Sequence, residues 1–233
     1  MARKPTQQQV IDDLLNRYDP IIAQAFRQAV EDVRGSADLQ RLIAALAAGD
    51  LNAALNALNL EAAAYGPLSE AIRQAYGEAG TASAAIANGQ TPAGVVIRFN
   101  IRNPRAETWL RDHSSQAVTR IIEDQRNAIR AALQAGMERG VNPRTAALDI
   151  VGRVNRATGK REGGIIGLTS TQEAAARAAR DELASGDAAL LRNYLTRERR
   201  DRRYDRSVMA AIRDEKPVPA AIVAKATERY RAR

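Results

Sequence analysis

Apolar residues recur at helical spacing along the first ninety residues. A stretch that begins at Thr6 places one apolar group on a single helix face: Val10, Ile11, Leu14, Leu15 and Tyr18. Asp19-Pro20 then has the form of an N-cap followed by a first-turn proline. The sequence therefore predicts that one helix ends there and that a second begins, with an apolar stripe that ends at Gly35.

Three more short helices are predicted before residue 90. One begins at Ser36 and closes at Gly49, the next is capped by Asp50, and another follows the turn at Tyr65-Gly66-Pro67. The connections between these stretches are short. Residues 1–90 are therefore expected to form an N-terminal helical domain.

The period of the pattern changes to two after Gly94. Four apolar residues, Val95, Ile97, Phe99 and Ile101, alternate with Val96, Arg98 and Asn100. This alternation is typical of a half-buried strand, which would have to pair within the chain or with another chain. An extended linker is the alternative. Residues 91–102 are expected to be one or the other, and the four alternating residues, with Trp109, are candidates for a partner interface.

Helical spacing returns at Asn103-Pro104, a second N-cap and proline pair. No breaker follows until Gly136 and Gly140, so about 36 residues could form a rod roughly 54 Å long. Later helix starts are expected at Asn142-Pro143, at Thr169 with the capping-box partner Gln172, at Asp187, near Tyr204 and at Pro219. The predicted fold class is mainly all-α, with a basic helical domain at residues 103–233.

Alanine dominates the apolar composition. The chain has 47 Ala, whereas Leu, Ile, Val and Phe together number 48 of 233 residues. That is close to the level at which a sequence struggles to bury enough surface to fold alone. Alanine favours thin helices that pack closely or against partners. A large sheet protein and a thick self-contained enzyme core are therefore excluded.

Little catalytic or metal-binding chemistry is present. The chain has no Cys and one His, so Cys-ligated metals, thiol nucleophiles and multi-His sites are excluded. That histidine, His113, lies four residues after Trp109 on one helix face, and the neighbouring Ser and Asp point elsewhere. Gly152 and Gly159 are wrongly spaced for a P-loop. We expect no catalytic residue, metal or cofactor. There is no apolar run of 18 residues and no signal core, so we expect no membrane partner and synthesis in the cytoplasm.

Positive charge is concentrated in the second part of the chain. Residues 1–100 carry 8 basic and 10 acidic side chains, whereas residues 101–233 carry 27 and 17. Of the 35 basic residues, 31 are Arg, whose guanidinium pairs bidentately with phosphate and carboxylate. A polyanion partner for the second part is one interpretation, and arginines that simply solubilise helices are the other.

The densest basic stretch, Arg192 to Arg206, holds seven Arg and three acidic residues. Candidates for binding nucleic acid or an acidic surface are Lys160, Arg161, Arg197, Arg199, Arg200, Arg202, Arg203 and Arg206. The interleaved Glu198, Asp201 and Asp205 give an alternative, in which the arginines form salt bridges within or between chains. Both alternatives stay open on the sequence.

Several stretches together resemble the head morphogenesis, or minor head, proteins of tailed phages, typified by that of phage Mu. They are Gly49–Leu55, Pro67–Tyr76, Arg102–Glu107, Asn142–Arg153, Gly163–Thr169 and Arg202–Arg206. Their order and spacing carry the resemblance, which runs from about residue 40 to the end of the sequence. Similar proteins usually continue with Arg-x-Glu-x-Ile-Ala-Arg-Thr-Glu, so the chain is expected to be either a short member or a fragment.

The resemblance implies a non-enzymatic virion component, present in several copies inside the capsid near the portal. Its implied partners are the portal protein, the major capsid or scaffold protein, and packaged double-stranded DNA. Its implied roles are head assembly and DNA retention or ejection. One alternative is an internal DNA-binding protein that coats the genome before ejection. A less favoured one is a virion-associated hydrolase.

Overall fold

The computed structural model describes residues 5–92 and 94–232. It is 72% helical, which confirms the all-α prediction. The α-helices are α1 (Gln7–Ser36), α2 (Leu39–Ala47), α3 (Leu51–Asn56), α4 (Gly66–Asn88), α5 (Pro104–Glu138), α6 (Pro143–Val151), α7 (Ser170–Ala184), α8 (Ala188–Thr196), α9 (Asp205–Arg213) and α10 (Ala220–Arg231). Short 3-10 turns at Ala62–Tyr65 and Arg202–Tyr204 precede α4 and α9.

Helix α1 is continuous, and the predicted break at Asp19-Pro20 is wrong. Pro20 lies inside the helix on its exposed side. One apolar stripe crosses the proline without a change of spacing: Leu14, Tyr18, Ile22, Ala25, Ala29 and Val33, all buried or half-buried. Because the stripe is buried or half-buried on both sides of the proline, tertiary packing offsets the hydrogen bond that proline removes.

Local capping signals position most of the other helix starts. Asp38 caps α2, two residues after the predicted start at Ser36, and Asp50 caps α3 as predicted. Asn142 caps α6 and Asp187 caps α8. The predicted capping box of α7 is present, with Thr169 and Gln172 exchanging backbone and side-chain hydrogen bonds.

Residues 95–101 form no strand, so of the two predicted alternatives the linker is observed. A two-stranded antiparallel hairpin lies elsewhere, between Gly152 and Gly163. Its strands are β1 (Arg153–Val154) and β2 (Arg161–Glu162). Gly164 has a φ of +77°, and a Cβ there would lie 2.5 Å from the Gly152 nitrogen. This close backbone approach explains why the loop needs glycine.

The chain forms two compact units. Unit 1 comprises residues 1–32 and 61–122, and unit 2 comprises residues 33–60 and 123–233. These ranges differ from the predicted domain boundaries, which lie near residues 90 and 103. Two of the positions where the units divide fall inside helices, one in α1 and one in α5. The buried cluster of unit 2 is contributed by α7, α8, α9, α10 and the turn before α10. A second stretch of packing in unit 2 joins α2 to α3 and α6.

Candidate functional site

The segment 95–101 packs along a face of α4 that is built from small residues. In unit 1, a Cβ added to Gly80 would lie 2.5 Å from the Phe99 ring, and one on Gly77 would lie 3.0 Å from Ile101 Cδ1. Glycine at these two positions therefore allows both side chains to approach the helix backbone. A groove of about 510 Å³ is lined by α4 residues together with Ile97 and Phe99.

The Asn88 side chain holds this segment in place. Its Nδ2 donates to the Ile97 carbonyl at 2.7 Å, and its Oδ1 accepts from the Ile97 amide at 2.6 Å. A residue whose N–H and C=O face the same side is extended, as in a strand. The side-chain amide therefore takes the place of a neighbouring strand on one edge of the segment.

An aromatic stack connects the segment to α5. Tyr76 contacts Phe99 edge-on at 5.6 Å between ring centroids and stacks on Trp109 at 4.7 Å. Trp109 in turn stacks on His113 at 3.9 Å, and the His113 Nδ1 lies 2.7 Å from the Trp109 carbonyl oxygen. The predicted common face of Trp109 and His113 is thus confirmed, and His113 serves there as an aromatic packing group.

The predicted interface residues of unit 1 divide into two sets. Phe99 and Ile101 pack on α4, whereas Val95, Ile97 and Trp109 remain exposed. Val96, which was predicted to alternate away from the interface set, is also exposed. Tyr76, Gly77, Gly80 and Asn88 were missed, although Gly77 and Gly80 inside a helical stretch of the sequence were a signal for close packing.

In unit 2, Arg197 is part of the folded structure. Its Nε and Nη2 donate to Glu182 at 2.6 and 2.8 Å, and the Asn193 amide also donates to that carboxylate. Glu182 is 9% exposed and Arg197 22%. The hydrogen bond to Glu182 raises the pKa of Arg197 above its ordinary value. This arginine joins α7 to the segment after α8.

Two more of the predicted anion-binding arginines are paired with carboxylates. Arg200 Nε donates to Asp205 at 3.1 Å, and both side chains are less than one fifth exposed. Arg203 Nη2 donates to buried Asp201 at 2.5 Å, and the hydrogen bond to Asp201 raises the pKa of Arg203. The salt-bridge alternative therefore describes Arg197, Arg200 and Arg203.

The remaining five predicted basic residues have varied surroundings. Arg199 lies 5.9 Å from the Tyr230 ring centroid, and Arg161 Nη1 donates to the Gly152 carbonyl at 3.1 Å. Lys160, in the hairpin turn, is exposed. Arg202 and Arg206 are exposed and have no ion-pair partner within residues 5–92 and 94–232. The structure thus divides the eight candidates into three that pair with carboxylates and five whose surroundings differ from one another.

A basic cavity in unit 2 was missed by the sequence analysis. It has a volume of about 540 Å³ and lies among residues of α5, α6, α7 and α10. Its cationic lining consists of Arg139, Arg153, Arg177, Arg180, Lys225 and Arg231. These residues lie far apart in the sequence, so no local signal marks them as one site.

Comparisons of the chain with protein-family models, with curated proteins and with solved structures found no match. Among residues 5–92 and 94–232, no helix is both long and apolar enough to span a bilayer. In the same described ranges, no group of three or more His, Cys, Asp or Glu side chains is arranged to hold a metal ion.

Proposed function

We propose that this chain is a portal-associated minor head protein of a tailed phage, a binding protein that acts in head assembly and in DNA retention or ejection. The sequence resemblance motivates the identity of the partner. The structural observation that carries the proposal is a set of exposed apolar residues in unit 1: Val95 and Ile97, which lie on the same side of the extended segment, together with Val96 and Trp109. Large apolar residues that remain exposed together on one segment are typical of protein interaction sites.

The backbone of the segment supports docking by strand addition. The Asn88 side chain occupies the edge of the segment toward which the backbone N–H and C=O of Ile97 point. Because alternate residues of an extended segment face opposite sides, the amides of Val96 and Arg98 face the other edge. An added strand of the portal protein could pair there, while Val95 and Ile97 would contribute apolar contact.

The paired arginines support a protein partner over DNA for the stretch 197–206. Arg197, Arg200 and Arg203 already satisfy carboxylates within unit 2. A phosphate that recruited them would have to break those pairs. Binding of DNA through this stretch would rest on exposed residues such as Arg202 and Arg206, and that observation keeps genome coating as the second candidate function.

The test is cosedimentation of the full chain with purified portal rings of the encoding phage, at low and high salt, with and without DNA. Val95→Asp places a charge among the exposed apolar residues and is expected to weaken portal binding at least about tenfold. Val154→Asp is the matched control, because Val154 in β1 is 55% exposed and Val95 54%. The control should bind as the unaltered chain does.

Binding to portal rings that resists high salt, requires no DNA and is lost only in Val95→Asp would support the proposal. Two results would overturn it: no sedimentation with portal, or equal loss in both variants. Binding to DNA alone, declining steeply as salt rises, would instead establish the genome-coating function.

A further inference from the structure

The basic cavity of unit 2 carries more positive than negative charge. Six cationic side chains line it, and its acidic lining is Asp149, Glu173 and Glu228. Asp149 is paired with Arg153 at 3.1 Å. Glu173 is fully buried and accepts two hydrogen bonds from Arg231, at 2.9 and 2.7 Å. Two of the three carboxylates are thus already neutralised.

Four cations and one carboxylate remain at the cavity after those pairs are set aside. The cations are Arg139, Arg177, Arg180 and Lys225, and the carboxylate is Glu228. Arg180 also lies 3.5 Å from Asp181, but that carboxylate is 64% exposed and is not part of the lining. The cavity therefore has an excess of about three positive charges, an arrangement that repels itself unless an anion enters.

One guanidinium group in the cavity has an unused donor, and another lies close to other cations. Arg177 Nε is buried and has no hydrogen-bond acceptor in the described part of the chain, since the nearest Glu173 oxygen is 4.0 Å away. Partial burial lowers the pKa of Arg139 from its ordinary value, and the charge of Arg180 lowers it further; the charge of Asp181 offsets part of this, and those of Arg177 and Arg231 add to the lowering. Crowded cations and an unused buried donor both favour a bound anion.

We propose that this cavity binds a small compound that carries a multiply charged phosphate group. The planar guanidinium fork matches phosphate oxygens bidentately. A charge excess of about three fits a phosphate dianion or a polyphosphate better than a single carboxylate. The volume of about 540 Å³ lies within the range of small-ligand pockets. All of the lining residues belong to unit 2, whereas the portal proposal rests on residues of unit 1. The two proposals are therefore independent.

The experiment is isothermal titration of the full chain with pyrophosphate at physiological ionic strength. Arg139→Gln and Arg180→Gln each remove one charge from the cavity and are expected to weaken binding about tenfold, the effect of one charge-assisted hydrogen bond. Arg192→Gln is the matched control, because Arg192 is exposed in α8 and does not line the cavity. It should bind pyrophosphate as the unaltered chain does.

A second measurement separates binding from folding. Because Arg139 repels its neighbours, Arg139→Gln without ligand is expected to melt at the same temperature as the unaltered chain or higher. Pyrophosphate should raise the melting temperature of the unaltered chain and of Arg192→Gln, but raise that of Arg139→Gln much less.

Further titrations use inorganic phosphate and a short DNA duplex, which identify the source of the phosphate. Binding of pyrophosphate or phosphate that requires Arg139 and Arg180 supports the proposal. Equal weakening by Arg192→Gln, or no pyrophosphate binding up to about 1 mM, overturns it. Binding of the duplex alone, with the same dependence on Arg139, would overturn the small-molecule proposal and assign the cavity to nucleic acid.

Discussion

The pair of Arg197 and Glu182 gives the sharpest test of whether the arginine stretch is structural. We expect Arg197→Gln to lower the free energy of unfolding by about 3 kcal/mol, because it leaves the Glu182 carboxylate almost buried without its cation. Breaking a fully buried pair costs about 3–5 kcal/mol. The lower end applies here because Arg197 is 22% exposed and the Asn193 amide still donates to Glu182.

The assay is urea denaturation followed by far-ultraviolet circular dichroism, since guanidinium salts would screen the ion pair. Arg206→Gln is the matched control, because it removes the same charge from an exposed residue and should change stability by no more than about 0.5 kcal/mol. The double variant Arg197→Gln with Glu182→Gln should be less destabilised than the sum of the two single variants.

A loss below about 1 kcal/mol in Arg197→Gln, or an equal loss in Arg206→Gln, would refute this reasoning. Either result would show that the Arg197–Glu182 pair contributes no more to stability than an exposed ion pair does, and that Arg197 is free to bind an anion. Because Glu182 already engages Arg197 in the unaltered chain, Arg197 should contribute little to DNA binding, and folded Arg197→Gln protein should bind DNA no more weakly than the Arg206→Gln control.

Three further predictions concern single sites. Tyr194→Phe removes a buried hydroxyl with no hydrogen-bond partner within the described ranges, so thermal or urea unfolding should show stabilisation of about 1 kcal/mol. Burial raises the pKa of Tyr194 to about 12, so stability is full below pH 10 and declines towards pH 12, a decline that Tyr194→Phe should reduce. Gly80→Ala should lower the free energy of unfolding by about 1–3 kcal/mol, because the added methyl group clashes with Phe99, and it should alter Trp109 fluorescence. The control Gly35→Ala, which has open space around it, should raise the free energy of unfolding by about 0.5–1 kcal/mol. Hydrogen bonds from Arg73 and Gln74 lower the pKa of Glu70 to about 2. The contribution of Glu70 to stability is therefore present above pH 4.5 and lost as the pH falls towards 2. In Arg73→Gln, nuclear magnetic resonance titration should show the Glu70 midpoint return towards 4.5.

Helix starts could be predicted from the sequence because capping is a local interaction. Asp50, Asn142, Thr169 and Asp187 each accept hydrogen bonds from amides two or three residues later. Pro20 misled the prediction because the same Asp-Pro pair suits both a helix start and a proline held inside a helix. The continuous spacing of the apolar stripe was the signal that distinguished the two.

Side-chain pairing was harder to predict because it depends on contacts between distant elements. The sequence showed that Arg197 and Arg203 had acidic neighbours, but Arg197 pairs with Glu182 on α7 and not with adjacent Glu198. The basic cavity needs α5, α7 and α10 to be packed before Arg139, Arg177 and Arg231 converge. Charge counting located the basic part of the chain without locating this site.

The discontinuity of unit 2 has a consequence for its synthesis on the ribosome. Leu42 and Leu46 of α2 are buried in the finished protein, where α2 packs on α3 and α6. Residues 61–122 must be translated before α6 exists, so in a nascent chain the part of α2 that packs on α6 stays uncovered throughout that interval, although α3 is already present. We expect chaperones that bind nascent chains to engage α2 during elongation and to release it only after residue 151 has emerged.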